Sequence, residues 1–190
     1  MQSTFEKDKK TALIRRWLIF FMAALFVSGA TAIPLEAELE ILRRLFPDGD
    51  VGYWFTRVHE GLLNHRIYYP FLDYGYDWLA FAHFVLALLF IGPYRDPVRN
   101  RWVIEFAMLA CVLVIPFALL AGHFRGIPVT WRLIDCSFGV IGMIPLWIVL
   151  RLVRQLESAP KEVALPERIP MGFRITSAAT LTRKHLQSLN

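Results

Sequence analysis

Thr130–Trp131–Arg132–Leu133–Ile134–Asp135–Cys136 places a guanidinium and a carboxylate one helical turn apart in an otherwise apolar run. Charges at the mouth of a bilayer segment are costly, so they mark either a working site or a structural ion pair. At about 100° of rotation per residue, Arg132, Asp135, Gly139 and Gly142 fall within a sector of roughly 80°. The charges thus continue a stripe of small residues, and membrane helices approach one another closely along such stripes. Asp135 is expected to face protein. His83 shares a broad helical face with Asp77, Ala80, Phe84 and Ala87, so it too is expected to point inward. His123 ends a third apolar run, and Phe124–Arg125–Gly126–Ile127–Pro128 turns the chain into the fourth.

These groups converge on one face of the membrane, where His59, His65 and Asp73 can fold down to meet them. The candidate catalytic residues are Asp135, His123 and His83; the candidate binding residues are Arg125, Arg132 and Asp77. Carboxylates, imidazoles and guanidiniums in one pocket suit a hydrolase or an anion-binding cleft. The competing reading is structural: Arg132 pairs with Asp135 and seals the helical turn. On that reading, Asp135→Asn lowers stability. No metal centre is expected, because His59 and His65 lie six apart and no His-Glu-x-x-His or paired-Cys motif occurs. No cofactor is expected either. A haem would need His83 and His123 at one depth, and they differ by a turn or more. Ser137 and Cys136 lack the surroundings of a nucleophile elbow.

The elements that must position these residues are membrane spans. Hydrophobic residues make up 56% of the 190 and charged ones only 19%, with a mean hydropathy of +0.43; that balance excludes an ordinary soluble domain. The apolar residues are gathered into runs that approach the roughly 20 needed to cross about 30 Å of hydrocarbon. The expectation is an all-α integral membrane protein with four transmembrane helices, over about 17–33, 76–93, 103–122 and 131–150. Lys7 to Arg16 followed by Ala30–Thr31–Ala32 also has the pattern of a cleaved signal peptide. The apolar run outlasts a usual h-region, so it is read as a retained span.

Between the first two spans, residues 34–75 carry two amphipathic stretches. Leu35, Leu39, Leu42, Leu45 and Phe46 recur at helical spacing until Pro47–Asp48–Gly49–Asp50; Trp54, Phe55, Val58 and Leu62 follow. Two short helices on the outer surface or over the bundle are expected. The aromatics from Tyr68 to Trp78 read as an interfacial belt. Gly92–Pro93–Tyr94–Arg95–Asp96–Pro97 reads as a rigid turn. Residues 155–190 form a tail, extended over Ser158–Pro170, with a short helix over Leu181–Leu189.

Charge sets the orientation. With residues 1–16 cytoplasmic, the inner segments hold fifteen Lys and Arg and the outer ones six, so the positive-inside rule places both termini in the cytoplasm. The net charge of +5 then needs no nucleic-acid partner. Cys111 and Cys136 fall at different depths and are expected to be small core residues. Glu105 is expected to pair with Arg101 or Arg151.

A bacterial cytoplasmic-membrane protein is the class these features describe. The leading functional expectation is a structural, assembly or accessory protein that packs on other membrane proteins or on its own copies. An enzyme acting on a lipid-linked or amphiphilic substrate at the outer leaflet is the runner-up, and an oligomeric transporter the third. A ligand-sized space lined by Asp135, His123 and His83 would favour the enzyme; an Arg–Asp pair filling it would favour the accessory role.

Overall fold

The computed structural model describes residues 2–158, with side chains from residue 5. The readings for Ser158–Pro170, beyond Ser158, and for Leu181–Leu189 lie outside the described residues. Seven α-helices follow in order: α1 (Gln2–Thr31), α2 (Leu35–Leu45), α3 (Gly49–Tyr68), α4 (Tyr74–Leu89), α5 (Ile91–Arg95), α6 (Arg101–Phe124) and α7 (Val129–Glu157). A 3-10 turn at Pro70–Leu72 links α3 to α4. Four stretches are long and apolar enough to cross a membrane: Phe5–Thr31, Pro70–Arg95, Arg101–Phe124 and Val129–Glu157. The protein is an all-helical, four-span membrane protein, with α2 and α3 between the first two spans.

The first and last helices outrun their apolar cores. α1 begins near the chain start because nothing from Phe5 to Arg16 breaks a helix, and Lys10 bonds Glu6 at 2.9 Å one turn apart. Ile14 and Leu18 on that extension are fully buried. α7 continues to Glu157 because Val153 extends its buried stripe and Glu157 takes a 2.9 Å bond from Arg101. Arg101 also bonds Glu105 at 2.8 Å, as its spacing suggests, while the second partner of Glu105 is Arg154 at 3.7 Å. Arg151 stacks over Trp147 instead. The expected Gly92–Pro97 turn is half helical. Residues 91–95 form α5, and Asn100 Nδ2 then closes the loop onto the Gly92 and Asp96 carbonyls at 3.1 and 2.9 Å.

Two kinds of packing hold the spans. At the end away from α2 and α3, Ile14 and Leu18 interlock with Phe90, Val103, Ile104, Leu146, Val149, Leu150 and Val153 in one buried cluster. Toward the other end, small residues let backbones touch, as helices in lipid require when apolar burial no longer drives association. A Cβ built on Gly139 of α7 would lie 2.4 Å from the Cys111 carbonyl oxygen of α6. One built on Gly29 of α1 would lie 2.9 Å from both the Ala80 oxygen and the His83 Cβ of α4. The packing order follows: α6 on α7, α7 on α1, α1 on α4. Both cysteines are free, and the thiol of Cys136 lies 3.8 Å from the Ile115 carbonyl.

α2 and α3 form a hairpin that buries Leu39 and Phe55. Phe55 meets Trp131 of α7 edge-on at 5.5 Å, which docks the hairpin on the start of the fourth span. Glu40 binds Arg43 at 2.6 Å and Arg44 at 2.7 Å and faces His59 of α3 at 3.5 Å. Arg66 reaches back to Glu36, and His65 pairs with Asp73 at 3.3 Å.

Two outcomes test this frame. Gly139→Val should lower the melting temperature in mild detergent by the equivalent of about 1–3 kcal/mol of overpacking. Gly61→Ala, where the added methyl meets nothing within 4 Å, should leave it unchanged or slightly raised. The second concerns Glu40. Hydrogen bonds from Arg43 and Arg44 pull its carboxyl down to about 2. The network is therefore complete above the ordinary carboxylate range and lost only as pH falls through about 2. A carbon-detected NMR titration should show Glu40 still ionised at pH 3.5, while exposed glutamates are mostly protonated there.

Candidate functional site

α6 packs on α7, α7 on α1 and α1 on α4, but α4 and α6 do not pack together, and a cleft opens between them. It encloses about 710 Å³. Its α6 wall follows the 3.6-residue period from Val103 through Ala107, Cys111, Val114 and Ala118 to Gly122 and Arg125. That stripe spans roughly 33 Å at 1.5 Å of rise per residue, the full height of a bilayer core. The lining is almost wholly apolar. Ser28, His83, Arg125 and Asp135 supply its hydroxyl, imidazole, guanidinium and carboxylate, all toward the α2–α3 end. Ser28 lies one turn from the end of α1, and His83 is level with Gly29. Asp135 lies two turns into α7.

The expected Arg132–Asp135 ion pair does not form among the described residues. The stem of Arg132 lies across Gly122 of α6, where a methyl would meet it at 2.5 Å. Its Nη1 extends to the Leu119 carbonyl at 3.4 Å, and its buried Nε has no partner. Glycine at 122 opens a channel for the arginine stem, and the side chain leaves along it. Asp135 makes no hydrogen bond or ion pair among the described residues; the next polar group, Ser137, bonds the Ile134 carbonyl at 2.6 Å. Asp135 is partly exposed and faces the cleft.

His83 has one nitrogen committed. Its Nδ1 lies 2.8 Å from the Leu79 carbonyl, one turn back on α4. A carbonyl only accepts, so Nδ1 carries a proton; in the neutral ring Nε2 is then a free acceptor.

The other expected site residues go elsewhere. His123 is exposed, with its ring beside Phe124 at 5.7 Å, and does not line the cleft. One residue of helix rotation from Gly122 carries it off the stripe. Asp77 is exposed and opens onto a second cavity of about 630 Å³ with Glu36, Glu40, His59, Arg66 and Asp73. The single pocket expected from the sequence is two: His59 and Asp73 accompany Asp77 over the hairpin, while His83, Arg125 and Asp135 share the membrane cleft. Ser28 and Cys111 join the cleft without any sequence signal, because α1 and α6 are apolar on every face through the membrane. No three His, Cys, Asp or Glu side chains are grouped as a metal centre among the described residues.

Comparison of the chain with family models, with curated proteins and with solved structures gives no match. The site's meaning therefore comes from its own chemistry.

An unpaired carboxylate gains nothing structurally from its charge. Asp135→Asn should leave expression and melting temperature unchanged or slightly raised, since a lone charge at a membrane face is costly. A fall in melting temperature as large as that of Gly139→Val would restore the ion-pair reading.

Proposed function

We propose that the protein binds an amphiphilic, lipid-soluble molecule in the cleft between α4 and α6, with its polar head against Asp135 and His83 and its apolar chain along α6. One observation carries this reading. A cleft of about 710 Å³ falls within the range of roughly 300–1,000 Å³ typical of small-molecule sites, and its ionisable side chains apart from Cys111 gather at one end. Such a polarity gradient matches an amphiphile that enters sideways from the bilayer. On the orientation that the positive-inside rule favours, the head lies at the outer leaflet.

The accessory role, with a partner's helix seated in the cleft, accounts less well for the polar end, because an apolar helix brings no hydrogen-bonding groups to it. The lone Asp135 and the free nitrogen of His83 also favour a ligand that brings hydrogen-bonding groups. Transport has less support, because the ionisable residues sit near one face and not at the midplane. If chemistry follows binding, His83 is the candidate base through Nε2, since its Nδ1 is bound to the Leu79 carbonyl.

Native mass spectrometry of the protein in mild detergent, followed by lipid extraction, tests this reading. The wild type should retain an amphiphile. Ala110→Trp, which fills the cleft from an exposed position on α6, should reduce retention about tenfold, equivalent to about 1.4 kcal/mol, without lowering the melting temperature. Equal retention by variant and wild type would overturn the reading. A protein subunit that co-elutes with the wild type and is lost from the variant would support the accessory role instead.

A further inference from the structure

The cleft's length and the hydrogen-bonding character of its polar end together select a class of occupant. Resting on the amphiphile reading above, we infer that the ligand is a long-chain isoprenoid hydroquinone, held in its reduced, dihydroxy form.

The chain comes first. A fatty acyl chain stays within one leaflet and covers about half of the roughly 30 Å hydrocarbon core. The α6 stripe from Val103 to Arg125 runs roughly 33 Å at helical rise, so a diacyl lipid leaves the lower half of the cleft empty. A polyisoprenoid chain long enough to cross both leaflets fills it. Ala107, Ala110, Ala118 and Ala121 leave room along that wall between Phe106 and Phe117 for a methyl-branched chain.

The head follows from the polar groups. Asp135 is a carboxylate with no partner among the described residues. His83 has Nδ1 bound to the Leu79 carbonyl, which leaves Nε2 as an acceptor. Two unsatisfied acceptors call for two donors. A hydroquinone supplies them: one O–H donates to a carboxylate oxygen of Asp135 and the other to Nε2 of His83. The oxidised quinone has two carbonyls and no donor, so it would set oxygen lone pairs against both groups. Ser28 can donate or accept and distinguishes neither form. A phosphate head fits poorly, since it brings negative charge to Asp135, and Arg125, the cation on the cleft, is exposed at its rim.

Equilibrium binding to the full chain in phosphatidylcholine nanodiscs tests the assignment, using a polyprenyl hydroquinone under anaerobic reduction and its oxidised quinone, with the decyl-substituted hydroquinone, expected to bind more weakly, as the test of the chain. The reduced form should bind about tenfold more tightly, the effect of one to two net hydrogen bonds. Asp135→Asn and His83→Phe should each reduce that ratio to about threefold or less, with melting temperature unchanged. Equal or tighter binding of the quinone would overturn the head assignment. So would displacement of the hydroquinone by phosphatidylglycerol vesicles at comparable concentration. Ala110→Trp separates the two levels of the argument. If it weakens both forms equally while the wild type shows no preference, the cleft binds amphiphiles and the hydroquinone assignment fails. If it weakens neither, the cleft reading itself fails.

Discussion

Everything distinctive in this bundle follows from α1 being wedged between α4 and α7. At one end Ile14 and Leu18 sit fully buried in the shared core; at the other, Gly29 lets α1 touch the α4 backbone beside His83. A four-helix bundle closed in a ring would bring α4 against α6. Here the series α6–α7–α1–α4 does not close, and the gap left between α4 and α6 is the cleft. Membrane helices gain little from burying apolar groups away from equally apolar lipid. Close backbone contact must therefore supply the adhesion, and it is available only where glycine or another small residue permits it.

The same logic explains the charges. Between α6 and α7 the contacts run Cys111 on Gly139 and Gly142, then Gly122 under the stem of Arg132. Glycine at 122 both brings the helices together and gives the arginine a route to the Leu119 carbonyl. The guanidinium is thereby taken up by an α6 carbonyl, and no bond to Asp135 forms among the described residues. Sequence spacing made an ion pair geometrically available; backbone packing diverted one partner. Asp135 is left facing the cleft, while its natural counter-ion lies across Gly122.

The sequence conveyed the four spans, the intervening amphipathic helices and the protein-facing side of α7 through signals that depend on one helix at a time. Run length locates a span, and the period of 3.6 orients the stripe from Arg132 to Gly142. It also brought His83 and Asp135 to one pocket, since each lies on the small-residue face of its own helix. The failures concern relations between helices. His123 seemed close by depth, but α6 is apolar nearly all round and its sequence carries no sign of which face meets the cleft. Asp77 seemed to belong with His83 by periodicity, yet it lies at the first turn of α4, where the α2–α3 hairpin supplies its neighbours. Ser28 could not be assigned at all. The packing order of α1, α4, α6 and α7 comes from contacts such as Gly29 on Ala80, which no single-helix pattern reports.

The α2–α3 hairpin completes the polarity gradient along the molecule. Glu40 is met there by Arg43 and Arg44, Glu36 by Arg66, and Asp73, just beyond α3, by His65, while Glu38, Asp48, Asp50 and Glu60 have no ion pair among the described residues. At the far end of the bundle Glu105 and Glu157 are likewise shared among Arg101 and Arg154. The ion pairs thus stand above and below the membrane, beside surface charges left to water, where pairing is worth least. Asp135 is unpaired in the stretch where pairing would be worth most. A structural device would reverse that distribution, placing its ion pair inside the span and leaving surface charges to water. On the amphiphile reading proposed above, the hydrogen bonds that Asp135 does not make within the chain would go to the ligand and add to its affinity.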